Sequence, residues 1–115
     1  KFVSDLIRSA QNSLILLDNY VDDSVLQLFS KRRSEVAVTI YTKSIPPQLA
    51  LDLRKFNQQY DPVLIKEFHA AHDRFLIIDR CRVFHIGASL KDLGKKLFAF
   101  SQMDEGVIAL LKLLP

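Results

Sequence analysis

The segment AHDRFLIIDR, residues 71–80, carries polar groups at both ends of an apolar run. Phe75 to Ile78 have the bulk and branching of a buried strand, whereas His72 and Arg74 add nothing to a core. Residues two apart in an extended chain project from the same face, so the imidazole and the guanidinium stand about 7 Å apart along the strand. Imidazole can act as a nucleophile or exchange a proton near neutral pH, and arginine is a permanent cation whose planar fork matches phosphate oxygens. The pair points to phosphate chemistry. Asp79 lies an odd number of residues from His72, on the opposite face of an unbroken strand, so its expected role is to orient the site without touching phosphate.

A sheet must hold these side chains, and the chain is large enough to build one. Its 115 residues suffice for one domain with a core, and 49% hydrophobic and 25% charged residues are ordinary globular values. The net charge of +3 permits an anionic partner without demanding one. A single cysteine, Cys81, excludes an internal disulfide and fits a reducing compartment, so a cytoplasmic location is expected. No apolar run reaches the roughly 18 residues of a membrane span, and the tail GVIALLKLLP is interrupted by Lys112, so no membrane partner is expected. The first residue is Lys1 and not methionine, which reads as a piece excised from a longer protein.

Helical and extended patterns alternate along the chain. Residues 2–11 place Val3, Leu6, Ile7 and Ala10 at helical spacing, and SLILLDNY reads as a buried strand. Asp22 or Asp23 is suited to cap a helix carrying Val25, Leu28 and Phe29. EVAVTIYT is a β-branched strand, and SIPPQLALDLRKFNQQ opens with prolines fit for a first helical turn. DPVLIKEF, RFLIID, RVFHIG and KLFAFSQM are further strands, the middle two joined by Arg80-Cys81, and a helix from about Glu105 to Leu113 closes the chain. The expected fold is an α/β sandwich with a mixed β-sheet flanked by helices, its first strands parallel and its hairpin antiparallel. Ligands in such sheets sit beyond strand ends, which makes residues 69–72 and 87–96 candidate loops.

The spacing His72-x-Arg74-x4-Asp79, followed by Gly87 to Asp92 (GASLKD), resembles the phospholipase D superfamily pattern His-x-Lys-x4-Asp with a later Gly-Ser-x-Asn. HDRFLIID with VFHIGASLKDLGKKLFAFSQMD also resembles the C-terminal domain of bacterial proteins whose N-terminal domain is a phage-antirepressor-type DNA-binding domain. That resemblance implies a phospholipase D-like fold over nearly the whole chain and a metal-independent phosphodiesterase without a cofactor. His72 would attack phosphorus and form a phosphohistidine, a second histidine would protonate the leaving oxygen, and water would release the phosphate. Arg74 would replace the family lysine, with Ser89 and Lys91 also binding phosphate. One motif copy implies a homodimer with two His72 residues facing across a two-fold axis. Three departures stand against catalysis: arginine for lysine, Leu90 at the asparagine position with Ala88 at the serine, and a single motif copy. The alternative is therefore a catalytically degenerate dimerisation or DNA-binding module of a phage-type regulatory protein.

Other readings compete at several residues. His69 and His72 are three apart, but no acidic or cysteine ligand stands at a convincing metal spacing. His85 alternates with Phe84 and Ile86 and is expected to be structural. Asp18, Asp22 and Asp23 invite a magnesium reading, yet helix capping accounts for the last two, while Asp18 and Asn19 are candidates for the site rim. Arg80, Arg82, Lys95 and Lys96 form a candidate basic rim for nucleic acid, with an ordinary solvated face as the competing reading. The apolar C-terminal helix exceeds one buried stripe, so it packs between layers or contributes to a dimer contact.

Overall fold

The computed structural model describes residues 2–71, 73–86, 97–102, 109 and 111–115, with backbone only for 97–102. The elements run α1 (Phe2–Ser9), β1 (Ser13–Leu17), α2 (Asp23–Phe29), β2 (Ala37–Thr42), α3 (Pro47–Gln59), β3 (Leu64–Glu67), β4 (Arg74–Ile78), β5 (Arg82–Ile86) and β6 (Leu97–Gln102). The six strands form one sheet in the order β3-β2-β1-β4-β5-β6. β1, β2 and β3 are mutually parallel, and β4, β5 and β6 continue the sheet antiparallel from the other side of β1. The fold is an α/β sandwich with a mixed sheet, as the alternating patterns imply.

Alternation along the central strands divides the core between two layers. Leu14 and Leu16 of β1, Val38 and Ile40 of β2, and Leu76 and Ile78 of β4 face a layer holding Ile7, Leu26, Phe29, Leu49 and Phe56 from the three helices. Ile15, Leu17, Tyr41, Ile77 and Val83 face the other way, where Leu111 and Leu114 of the C-terminal segment pack over them. The expected terminal helix is described only at residues 109 and 111–113; the rest of that range lies outside the described residues.

Local chemistry explains most element boundaries. Asp22 caps α2 by accepting the Ser24 backbone N–H at 3.0 Å. Pro47 opens α3, where its missing N–H and fixed φ fit the first turn. α1 stops at Ser9, two residues short of the expected end: the Ala10 N–H still donates to Ile7 O, but those of Gln11, Asn12 and Ser13 turn to the Asp79 carboxylate. β4 stops at Ile78, so the hairpin turn comprises Asp79, Arg80 and Cys81, not Arg80-Cys81 alone. Asp79 and Arg80 both have left-handed backbone, with φ of 57° and 55°. For arginine that region is costly, and the paired strands on either side impose it.

Arg32 pins the helical layer to the sheet. Its guanidinium donates to four carbonyls: Phe29 at 3.1 Å, Val36 at 2.9 Å, Asp61 at 2.6 Å and Pro62 at 3.2 Å. One side chain thus ties the end of α2, the start of β2 and the α3–β3 connection. Hydrogen bonds involving a charged partner each contribute about 1.5–3 kcal/mol, with sharing reducing the sum. Arg32→Met should therefore lower the unfolding free energy by about 2–3 kcal/mol in urea titration, through the midpoint and not the slope.

Candidate functional site

The antiparallel pairing of β1 and β4 brings the start of one strand to the end of the other. Leu17 pairs with Phe75 and with Tyr41, so the next step along each ladder sets Asp18 opposite Arg74 on one side and beside Thr42 on the other. All three belong to the helix-facing layer by alternation. Asp18 and Thr42 are each 1% exposed, the buried polar pair among the described residues. A carboxylate is seldom buried without partners. Asp18 accepts the Tyr20 backbone N–H at 3.0 Å and lies 4.0 Å from Arg74 Nε.

Arg74 is the centre of this arrangement. Its Cζ sits 5.6 Å from the centroid of the Tyr20 ring, within cation–π reach. The Arg74 side chain is 31% exposed, yet its Nε is shielded from solvent and has no hydrogen-bond partner among the described residues. The 4.0 Å to Asp18 is an ion-pair separation and too long for a hydrogen bond. Leaving a buried donor unsatisfied costs about 1–3 kcal/mol, so an oxyanion that reached Nε would recover that energy. Asp18, held by backbone, fixes the guanidinium at the place where β1 and β2 end, the usual ligand position in such sheets. Asn19 Nδ2 donates to Ala71 O at 3.3 Å, tying the loop after β1 to the residue preceding His72.

Of the residues expected in the site, Arg74, Asp18 and Asn19 come together here. His72, Ser89, Lys91, Lys95 and Lys96, with Leu90 and the Gly87 turn, lie outside the described residues. Tyr20 and Thr42 are additions that sequence reading missed. Their signal was position alone: Thr42 ends β2, and Tyr20 lies three residues past the end of β1.

His85 belongs to the other layer. It pairs across the sheet with Phe75, stacks on that ring at 5.1 Å, and has Asp73 Oδ1 3.8 Å from Nε2. His69 lies 3.7 Å from Glu67, and no cluster of three metal-ligating side chains occurs among the described residues.

Three of the expected positions lie away from the Arg74 end of the sheet. Asp79 sits five residues along β4 from Arg74, roughly 16 Å away in an extended chain. Its carboxylate accepts the backbone N–H groups of Gln11 at 3.0 Å, Asn12 at 2.6 Å and Ser13 at 3.0 Å, so it organises the α1–β1 turn at the opposite end of the sheet. Arg80 and Arg82 leave the backbone at the hairpin turn beyond Ile78, the far end of β4 from Arg74. Arg82 donates to Ser9 Oγ at 2.7 Å. Burial pushes the Tyr41 phenol up, and the Arg80 charge pulls against it.

Burial also pushes the Asp79 carboxyl up, but the N–H groups of Asn12, Ser13 and Gln11, and then the Arg82 guanidinium, hold it below the ordinary carboxylate value. A depressed folded value stabilises the protein above the unfolded value of about 3.9, and that stabilisation disappears as pH falls through the folded value. Asp79→Asn should cost about 1–3 kcal/mol at pH 7 in urea unfolding. The gap to the wild type should narrow as pH drops below about 4.

No family model matches the chain, and no curated protein matches it. Among solved structures the chain is similar to NucT from Helicobacter pylori, with 12% sequence identity and a TM-score of 0.59. The match covers 96% of this chain and 81% of NucT. At that identity the likeness concerns the fold alone, an α/β sandwich with a mixed sheet.

Proposed function

We propose that this domain is a phospholipase D-like phosphodiesterase acting on nucleic acid, with His72 as nucleophile and Arg74 as phosphate clamp. The observation that carries the reading is the Arg74 Nε–H, a shielded donor without an acceptor among the described residues, held at the sheet end where the loops converge. A phosphodiester oxygen supplies the acceptor it lacks, and the rest of the fork can take a second oxygen. The likeness in fold to NucT supports the same family-level reading.

In the proposed reaction a ring nitrogen of His72 bonds to phosphorus while the bond to the leaving oxygen breaks. A second histidine gives that oxygen its proton. Water then attacks phosphorus, the P–N bond breaks, and the proton from water returns to the second histidine. With one motif in the chain, the second histidine is His72 of a second copy, which makes the active form a homodimer. Ser89 and Lys91 complete the phosphate contacts, and Lys95 and Lys96 extend a basic surface. Asp79 acts only through the fold. A DNA-binding domain joined ahead of Lys1 would carry the site to its substrate.

One observation favours a second reading. Asp18 lies close enough to Arg74 to offset its charge, which weakens the clamp as a transition-state stabiliser. Together with Leu90 at the asparagine position, this supports a degenerate domain that dimerises and binds DNA without cleaving it.

The test is hydrolysis of bis(4-nitrophenyl) phosphate and of DNA in EDTA, with sedimentation to give the mass. The expected result is a dimer whose turnover falls at least about a hundredfold in His72→Ala with an unchanged circular dichroism spectrum. Equal turnover in that variant removes His72 from the chemistry. DNA binding without turnover by the wild type establishes the second reading.

A further inference from the structure

We propose that residues 111–115 are a strap that steadies the loop leading into His72, and that Tyr41 is the positioning residue joining the two. The inference rests on the reading of His72 as nucleophile and adds what supports the backbone ahead of it.

The pairing of β2 with β3 sets Tyr41 beside Lys66, so both side chains leave the sheet on the face away from the helices. They converge on one acceptor. The Pro115 carbonyl takes the Tyr41 hydroxyl at 2.8 Å and the Lys66 ammonium at 3.2 Å. Tyr41 is 6% exposed, and a phenol so enclosed needs an acceptor. Burial also keeps its proton in place through neutral pH, so the hydroxyl stays a donor. Leu111 and Leu114 lie in the same apolar layer, and the Leu114 N–H closes a turn on Leu111 O at 3.3 Å. The strap is thus held by a polar latch at Pro115 and by two leucines before it.

The same phenol ring supports the loop after β3. Phe68 meets it edge-on with ring centroids 6.0 Å apart, and the Phe68 N–H continues the ladder to Thr42 O at 2.9 Å. Ala71 and Phe75 pack into that layer as well, while Asn19 holds Ala71 O at 3.3 Å. The loop is gripped between Asn19 at the site and the layer that the strap covers, and the residue after Ala71 is His72. Rate depends steeply on the placement of a nucleophile, even when the misplacement originates at a distance. Loosening Pro115 frees the Tyr41 ring, and with it the support under Phe68 and Ala71. Arg74 has its own support in Asp18, so the strap acts on the nucleophile and not on phosphate binding.

Amide hydrogen exchange and turnover of bis(4-nitrophenyl) phosphate would be compared in the wild type, Tyr41→Phe and Lys66→Met. The first variant removes only a hydroxyl, and the second changes a half-buried side chain, so an answer remains if the first fails to fold. The Ala71 and Asp73 amides should exchange about fivefold faster in Tyr41→Phe and about twofold faster in Lys66→Met. kcat should fall by the same factors with KM unchanged. Wild-type exchange at Ala71 and Asp73 beside faster exchange at Leu114 would overturn the coupling and leave the strap a structural cover. Faster loop exchange with unchanged kcat, in a protein whose turnover is lost in His72→Ala, would overturn the positioning role. Faster loop exchange with turnover that survives His72→Ala would uphold the coupling and remove His72 from the chemistry.

Discussion

The pairing of β4 with β1 is the constraint on which the rest depends. β1 is the only strand here with a parallel neighbour on one side and an antiparallel neighbour on the other among the described elements. Parallel strands β1 and β2 deliver their carboxyl ends, and the loops after them, to one end of the sheet. The antiparallel β4 delivers its first residues to that same end. A chain in which β4 ran parallel to β1 would carry Arg74 to the other end, and Asp18 would be left as a buried carboxylate without its cation. The candidate site is thus a product of strand direction before it is a product of side-chain choice.

Register sharpens the point. A shift of one residue between β4 and β1 would turn Arg74 into the second layer and bring Phe75 against the helices. Two features oppose that shift. The apolar alternation of Leu76, Ile77 and Ile78 is committed to two different layers. At the far end the Asp79 carboxylate takes three backbone donors, and its own N–H donates to Ser13 O at 2.8 Å. The aspartate of the motif is therefore a structural residue for the site, acting over the length of a strand.

Much of this was legible in the sequence because the physics was local. β-Branched runs and helical spacing located every described element, and Asp22 announced its cap by type and position. Asp18 and Asn19 were legible as rim residues because they follow a buried strand. What the sequence concealed was long-range. Nothing local in GASLKD or in DNYVDD says that Tyr20 packs on Arg74, since that contact joins residues 54 positions apart through a pairing the pattern does not encode. Arg80 and Arg82 misled for the complementary reason. They are near Arg74 in sequence, and an extended strand separates what sequence places together. For Asp79 the expectation was an orienting role without phosphate contact; that its carboxylate accepts from the α1–β1 turn, 66 to 68 residues upstream, is what the local pattern does not encode.

The Asp79 clamp also bears on how the chain reaches this state. Its donors lie 66 to 68 residues upstream, and Arg82 reaches Ser9 across 73. Contacts so distant close a large loop, and their entropic cost comes before their benefit. The β1–α2–β2–α3–β3 half can assemble from neighbouring pieces, whereas the α1–β1 turn acquires its carboxylate only when the hairpin docks. The Asp18–Arg74 approach spans 56 residues and depends on the same docking of β4 against β1, so the two ends of that strand are tied to the rest of the chain by contacts of comparable loop length.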